Sequence, residues 1–128
     1  MRTAIIGLAL LPAACASNHP QEAENLPDPL AAGWEGQQVC EVLQDNAAIR
    51  VLRCTFPPGV GHEKHFHAPH VGYALKGGTA RIWESSGERE ATTPDGFSWW
   101  TPERSVHENL NIGDETSVYL IVEPKSVR

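Results

Sequence analysis

The stretch "GVGHEKHFHAPHVGYALKGG", Gly59 to Gly78, carries His62, His65, His67 and His70, four of the six histidines in the chain. In an extended strand, residues i and i+2 face the same side. His65 and His67 therefore project together, and two adjacent imidazoles on an interior face can ligate one metal ion. Pro69 interrupts that strand. His70 opens the next run, 71–76, on which His70, Gly72 and Ala74 share a face. A third imidazole can thus approach the same point, with two small residues leaving space for a pocket. By itself the pattern is a weak signal. A lone histidine is more often a surface or hydrogen-bonded core residue, and an isolated HxH pair is often coincidence.

A ligand set drawn from one ribbon is incomplete. The later stretch "GFSWWTPERSVHENLN", Gly96 to Asn111, supplies His107. Together the two stretches resemble the two motifs of the cupin family. The first motif reads G, five residues, HxH, three or four residues, E, six residues, G; Gly59 and His65-Phe66-His67 match it, and the stretch runs on to Gly77. The second reads G, five residues, PxG, two residues, H, three residues, N; Gly96, Pro102-Glu103-Arg104, His107 and Asn111 match it in spacing. The resemblance spans roughly residues 50–123. It implies a single-domain, all-β, cupin-type jelly-roll barrel. It also implies metal ligation by His65, His67 and His107.

Two departures stand out. Arg104 occupies the place of the second motif's Gly, where a turn needing positive φ would be strained. The family's glutamate ligand is missing. Six residues lie between His70 and Gly77, with the preceding gap one residue short, so His70 is inferred as the substitute; counting back from Gly78 in the same way lands on Val71, which cannot ligate. The expected cofactor is one divalent transition metal per chain. Imidazole donors suit Zn, Fe, Cu or Ni and disfavour Mg and Ca, and the sequence does not distinguish among Fe, Zn, Mn, Ni and Cu.

Glu63 lies two residues before His65 and would share its face in a regular strand. It is a candidate general base, or an acceptor for an imidazole N–H; the competing reading is a solvated carboxylate beside Lys64. His62 is expected outward or at the rim, and Tyr73 is expected to pack in the sheet. Trp83, Trp99 and Trp100 are more naturally core or dimer residues than pocket lining, and adjacent Trp99 and Trp100 must face opposite sides. No GxSxG, Walker or dinucleotide motif competes.

Ahead of these motifs, "MRTAIIGLALLPAACAS" has the layout of a secretory signal over residues 1–16, too short to span a bilayer. Ala14-Cys15-Ala16 fits ordinary cleavage; Leu11 to Cys15 resembles a lipobox, in which Cys15 would be lipidated and tether the protein to a membrane. The expected location is periplasmic or membrane-anchored. Residues 17–33, rich in Pro, Glu and Asn, read as a flexible spacer. The barrel domain is expected over 34–126.

In an oxidising compartment Cys40 and Cys54 can bond. They flank a hairpin turn near Ala47 and fall opposite each other if it is centred there, since 40 + 54 = 2 × 47. Strands are expected at 39–43, 49–56, 65–67, 71–76, 80–84, 97–101, 107–110 and 118–123. With 10 Lys+Arg against 16 Asp+Glu, the net charge of −6 argues against a nucleic-acid partner. The resemblance implies a homodimer and a small-molecule ligand. Family members include dioxygenases, isomerases, lyases and decarboxylases of small organic or sugar-derived acids, and an imidazole-rich shell resembles the oxygenase members. A non-catalytic module with four protein ligands closing a metal site is the alternative, and a barrel without metal is a third reading.

Overall fold

The computed structural model describes residues 25–126; the signal segment and Cys15 lie outside them. The architecture is all-β and antiparallel. The strands are β1 (Gly33–Trp34), β2 (Gln37–Gln38), β3 (Cys40–Asp45), β4 (Ile49–Phe56), β5 (Gly61–His67), β6 (His70–Lys76), β7 (Gly78–Glu84), β8 (Gly87–Thr93), β9 (Ser98–Thr101), β10 (Ser105–Asn111) and β11 (Ser117–Pro124). β1 and β2 form a two-stranded sheet; of the two larger sheets one has the order β5-β10-β7-β8, the other β3-β4-β11-β6-β9. Alternation along β4 sends Leu52, Cys54 and Phe56 inward, where they join Cys40 and Ile121 in the core. Val39, Val60, Trp99 and Tyr119 pack against that cluster half-buried.

The β3–β4 hairpin turns through Asn46, whose side-chain Oδ1 accepts from Ala48 N at 2.9 Å and Ile49 N at 3.1 Å. Near the turn Asp45 faces Arg50, and beyond a bulge between Val42 and Gln44 the register sets Cys40 against Cys54. Their sulfurs form a disulfide buried in the core.

Three strands were not legible: the two-residue β1 and β2, and β8, "GEREATT", which has no large apolar residue and so no hydrophobic alternation to detect. β8 pairs with β7 along its length, from Gly78 opposite Thr93 to Glu84 opposite Gly87. Arg104 needs no unusual backbone, because among the described residues only Glu35 combines a side chain with positive φ. The Arg104 guanidinium instead lies 4.3 Å over the Phe66 ring. Gly59 and Gly96, the openings of the two motifs, do have positive φ, 75° and 78°.

The ordered domain begins before the expected Trp34. Pro29 and Ala32 are buried, and Pro27 O accepts from Phe66 N at 3.1 Å. Asp28 meets Arg50 at 2.7 Å, and Arg50 also holds the buried Glu123 at 2.6 Å. Low apolar content suggested a spacer, but this segment is held by backbone hydrogen bonds and an ion pair, which periodicity does not register. The hydrogen bond to Glu123, then that to Asp28, outweighs burial and raises the Arg50 pKa above its ordinary value. Arg50→Ala would strand Glu123 in the core. A fully buried broken pair costs roughly 3–5 kcal/mol; with Arg50 and Asp28 partly exposed, about 2 kcal/mol is expected, read from urea midpoints at constant slope.

Candidate metal centre and cavity

β5 and β10 build the centre. His65 stands directly opposite His107 in their register, and His67 follows two residues on along the same inward face. The motif ends tie the ribbons together: Gly59 N donates to Asn111 O, and Asn111 N to Val60 O, both at 3.0 Å. The buried Asn111 side chain donates to Phe56 O and Glu115 O, each at 2.8 Å, so this motif residue is a strut rather than a ligand.

One nitrogen from each of His65, His67 and His107 lies within 4.8 Å of the others. Their ring centroids are 4.6 Å (His65–His67), 4.7 Å (His65–His107) and 5.0 Å (His67–His107) apart. His70 is buried beside them, 4.7 Å from His67 by ring centroid, yet stands outside that tight set of three. Its Nδ1 donates to Ala68 O at 2.8 Å, which leaves Nε2 as its free nitrogen.

The tautomers test whether the cluster suits a cation. A carbonyl only accepts, so His65 Nδ1, 2.7 Å from Glu63 O, carries the proton and Nε2 presents a lone pair. That Nε2 lies 2.8 Å from His67 Nε2, while His67 Nδ1 is buried without a partner. If His67 carries its proton on Nε2, Nδ1 is left with an unmet lone pair. If the proton is on Nδ1, an N–H is orphaned and two lone pairs face each other. A cation between the facing lone pairs relieves that repulsion, so these residues fit a metal. Burial, then repulsion from His65 and other neighbours, pushes the His107 pKa down to about 3. Burial first, and the adjacent imidazoles after it, also drive His67 down. Neutral imidazole is the form that ligates.

Two expectations change. His62 is not at the rim: it is 1% exposed, stacks on His65 at 3.7 Å between centroids and donates from Nε2 to Pro29 O at 3.0 Å. Burial, then the charge of His65, lowers its pKa to about 3. Glu63 does not share the ligand face. Its exposed carboxylate accepts from Glu35 N at 3.1 Å. Both follow from a bulge. Asn109 pairs with His62 and His107 with His65, so β5 carries two residues, Glu63 and Lys64, opposite the single Glu108. The extra residue turns Glu63 outward and brings His62 in.

The cluster opens on a cavity of about 470 Å³ between the sheets. The space expected above Gly72 is filled instead by Trp99, its register partner; a Cβ at Gly72 would sit 2.0 Å from the indole. Gly72→Ala should therefore displace Trp99, costing about 1–3 kcal/mol as overpacking does. An unchanged melting temperature and tryptophan emission would contradict this packing. Trp99 stacks on Phe97 at 6.2 Å and meets Tyr119 edge-on at 6.1 Å. Trp100 faces out and Tyr73 is exposed, while Trp83 donates to Glu88 on the β7–β8 hairpin at 3.0 Å.

No protein-family model and no curated protein matches the chain. Solved structures do. A cupin domain from Bordetella pertussis Tohama I is similar over 69% of this chain and 93% of its own, at 26% identity and TM-score 0.65. The polyketide cyclase RemF from Streptomyces resistomycificus is similar over 80% of this chain and 75% of its own, at 17% identity and TM-score 0.58. A Cupin 2 conserved barrel domain protein from Salinispora arenicola CNS-205 is similar over 91% and 88%, at 20% identity and TM-score 0.52.

Proposed function

The chain has the cupin fold and falls in the cupin superfamily, and we propose that it is an exported metalloenzyme, dioxygenase-like, acting on a small organic acid. His65, His67 and His107 would hold one divalent transition metal, with His70 as the candidate fourth donor. The observation that carries this reading is the convergence of three neutral imidazoles, two of which, His67 and His107, line a 470 Å³ cavity. Bound there, a metal supplies Lewis-acid polarisation of a substrate oxygen and, if it is redox active, oxygen chemistry.

The chain's own groups do the rest. Glu63 O fixes the His65 tautomer, and His62 packs against the His65 ring. Three uncharged donors leave a metal's double charge unneutralised, which favours an anionic oxygen from substrate. Phe97, Trp99 and Tyr119 supply the apolar part of the wall beside it.

Elemental mass spectrometry of the purified chain, beside His70→Ala, tests this. One transition metal per chain is expected. Loss of metal in the variant would place His70 among the ligands; retention would leave a three-histidine site. No metal in the parent even after reconstitution overturns the proposal. Iron, copper or nickel directs assays to oxygen uptake, and zinc or manganese to isomerase and lyase substrates. The closeness of His70 to His67 also favours a second reading, a closed four-nitrogen binding module. An exchangeable metal-bound water, seen by nuclear relaxation, argues against that closure.

The proposal extends to a homodimer. Trp100, Val71, Val122 and Val51 stand in register across four strands, with Trp100 54% and Val71 38% exposed. Light scattering at micromolar concentration should give the dimer mass; a monomer mass rejects this part.

A further inference from the structure

Apart from the imidazoles, the charged side chains among the described residues that line the cavity are Glu84 and Arg89. They lie on the β7–β8 hairpin. Arg89 pairs with Ile82, Ile82 with Asn109, and Asn109 with His62, so one register row runs from Arg89 to the histidine-bearing strand. Arg89 is held by Glu84 in a two-point contact, Nε to Oε2 at 3.1 Å and Nη2 to Oε1 at 3.2 Å. A guanidinium has five N–H donors, and this contact uses two of them. The remainder of the wall combines aromatic and apolar residues, among them Phe97, Trp99 and Tyr119, with uncharged polar ones such as Thr92, Thr93, Thr101 and Ser105.

We propose that Arg89 is the carboxylate-recognising residue of this cavity. The ligand class is a small carboxylic acid with a planar apolar body, lying along Trp99 and Phe97. Glu84 is the internal competitor that holds Arg89 until the ligand's carboxylate displaces it. The inference rests on the functional reading above for its site and narrows its substrate class. The stacked rings of Phe97 and Trp99 favour a flat body, whereas the wall's Thr and Ser hydroxyls would be the partners of a sugar-derived acid, so a polyhydroxy acid is the comparison that tests the class. A guanidinium fork matches a carboxylate at two points, and its hydrogen bonds are charge-assisted.

The bland alternative is an exposed ion pair that only steadies a hairpin. Calorimetric titration of the full chain with benzoate, benzamide and gluconate separates the two, using both zinc-loaded and chelator-stripped protein. Benzoate should bind about tenfold or more tighter than its neutral isostere benzamide, the scale of a charge-assisted contact, and tighter than gluconate. Arg89→Gln should erase the benzoate preference, and Arg89→Lys should keep part of it. Glu84→Gln, by removing the competitor, should tighten benzoate several-fold, an effect of opposite sign that a merely structural pair would not give. Zinc content should stay the same in all three variants.

A preference seen in stripped protein and lost in Arg89→Gln supports the assignment even if the chain takes up no metal and the metalloenzyme reading fails. A preference present only with zinc and indifferent to Arg89→Gln belongs to the metal and overturns the assignment. Equal binding of benzoate and benzamide, or no binding of benzoate, also overturns it. Gluconate binding as tightly as benzoate overturns the planar, apolar ligand class.

Discussion

Replacing His107 by alanine is expected to abolish tight metal binding while leaving the barrel folded. His107 is the ligand that β10 contributes, and it faces His65 directly in the register. Loss of an outer partner alone weakens metal affinity by about 10–100-fold, so loss of a donor in a three-nitrogen set should exceed 100-fold. The fold should survive because the core of Leu52, Phe56, Ile121 and the disulfide does not include His107. Competition with a chelator of known affinity measures the loss, and circular dichroism checks the fold. His67→Ala should behave alike. A variant that still binds metal within tenfold of the parent would show that the three imidazoles do not hold the ion together.

Reduction of the Cys40–Cys54 disulfide should give the largest change in stability. The bridge joins residues 14 apart in sequence. In the chain-entropy account a loop of this size contributes about 3 kcal/mol by restricting the unfolded chain. For a domain of this length, each 1 kcal/mol moves the melting temperature by about 4–8 °C, so a fall of roughly 12–24 °C is expected on reduction. The disulfide is buried, so the reductant must act while the chain is open and the sample then be refolded under reducing conditions. Titration of unfolded, unreduced protein lacking Cys15 should find no reactive thiol. Two reactive thiols, or melting curves that coincide, would remove the bridge from the account.

Much of the fold was legible because its signals are local. Alternating apolar residues over 49–56, the Asn46 turn and the glycines that open the two motifs each report on a few neighbouring residues. Counting about Ala47 matched the Cys40–Cys54 pairing only because the bulge between Val42 and Gln44 shifts the register by one residue; the register at the turn itself would have put Glu41 opposite Cys54. β8 was not legible, since a polar strand on the outer edge of a sheet leaves no hydrophobic period. Arg89 and Glu84 were missed with it, although the Ser86-Gly87 turn after an evident strand was a hairpin signal that could have found them.

The sequence alone determined that His65 and His67 share a face, because i and i+2 do so in a regular strand, while His107 was placed beside them only by what the resemblance of the two motifs implies. Only the tertiary structure decided the fate of His62 and Glu63. Three residues separate His62 from His65, which in a regular strand puts them on opposite faces. Pairing with β10 inserts one extra residue at Glu63–Lys64 and reverses the parity from there on. A bulge is a property of two strands, set by a partner more than forty residues away, and nothing in the local alternation of β5 records it.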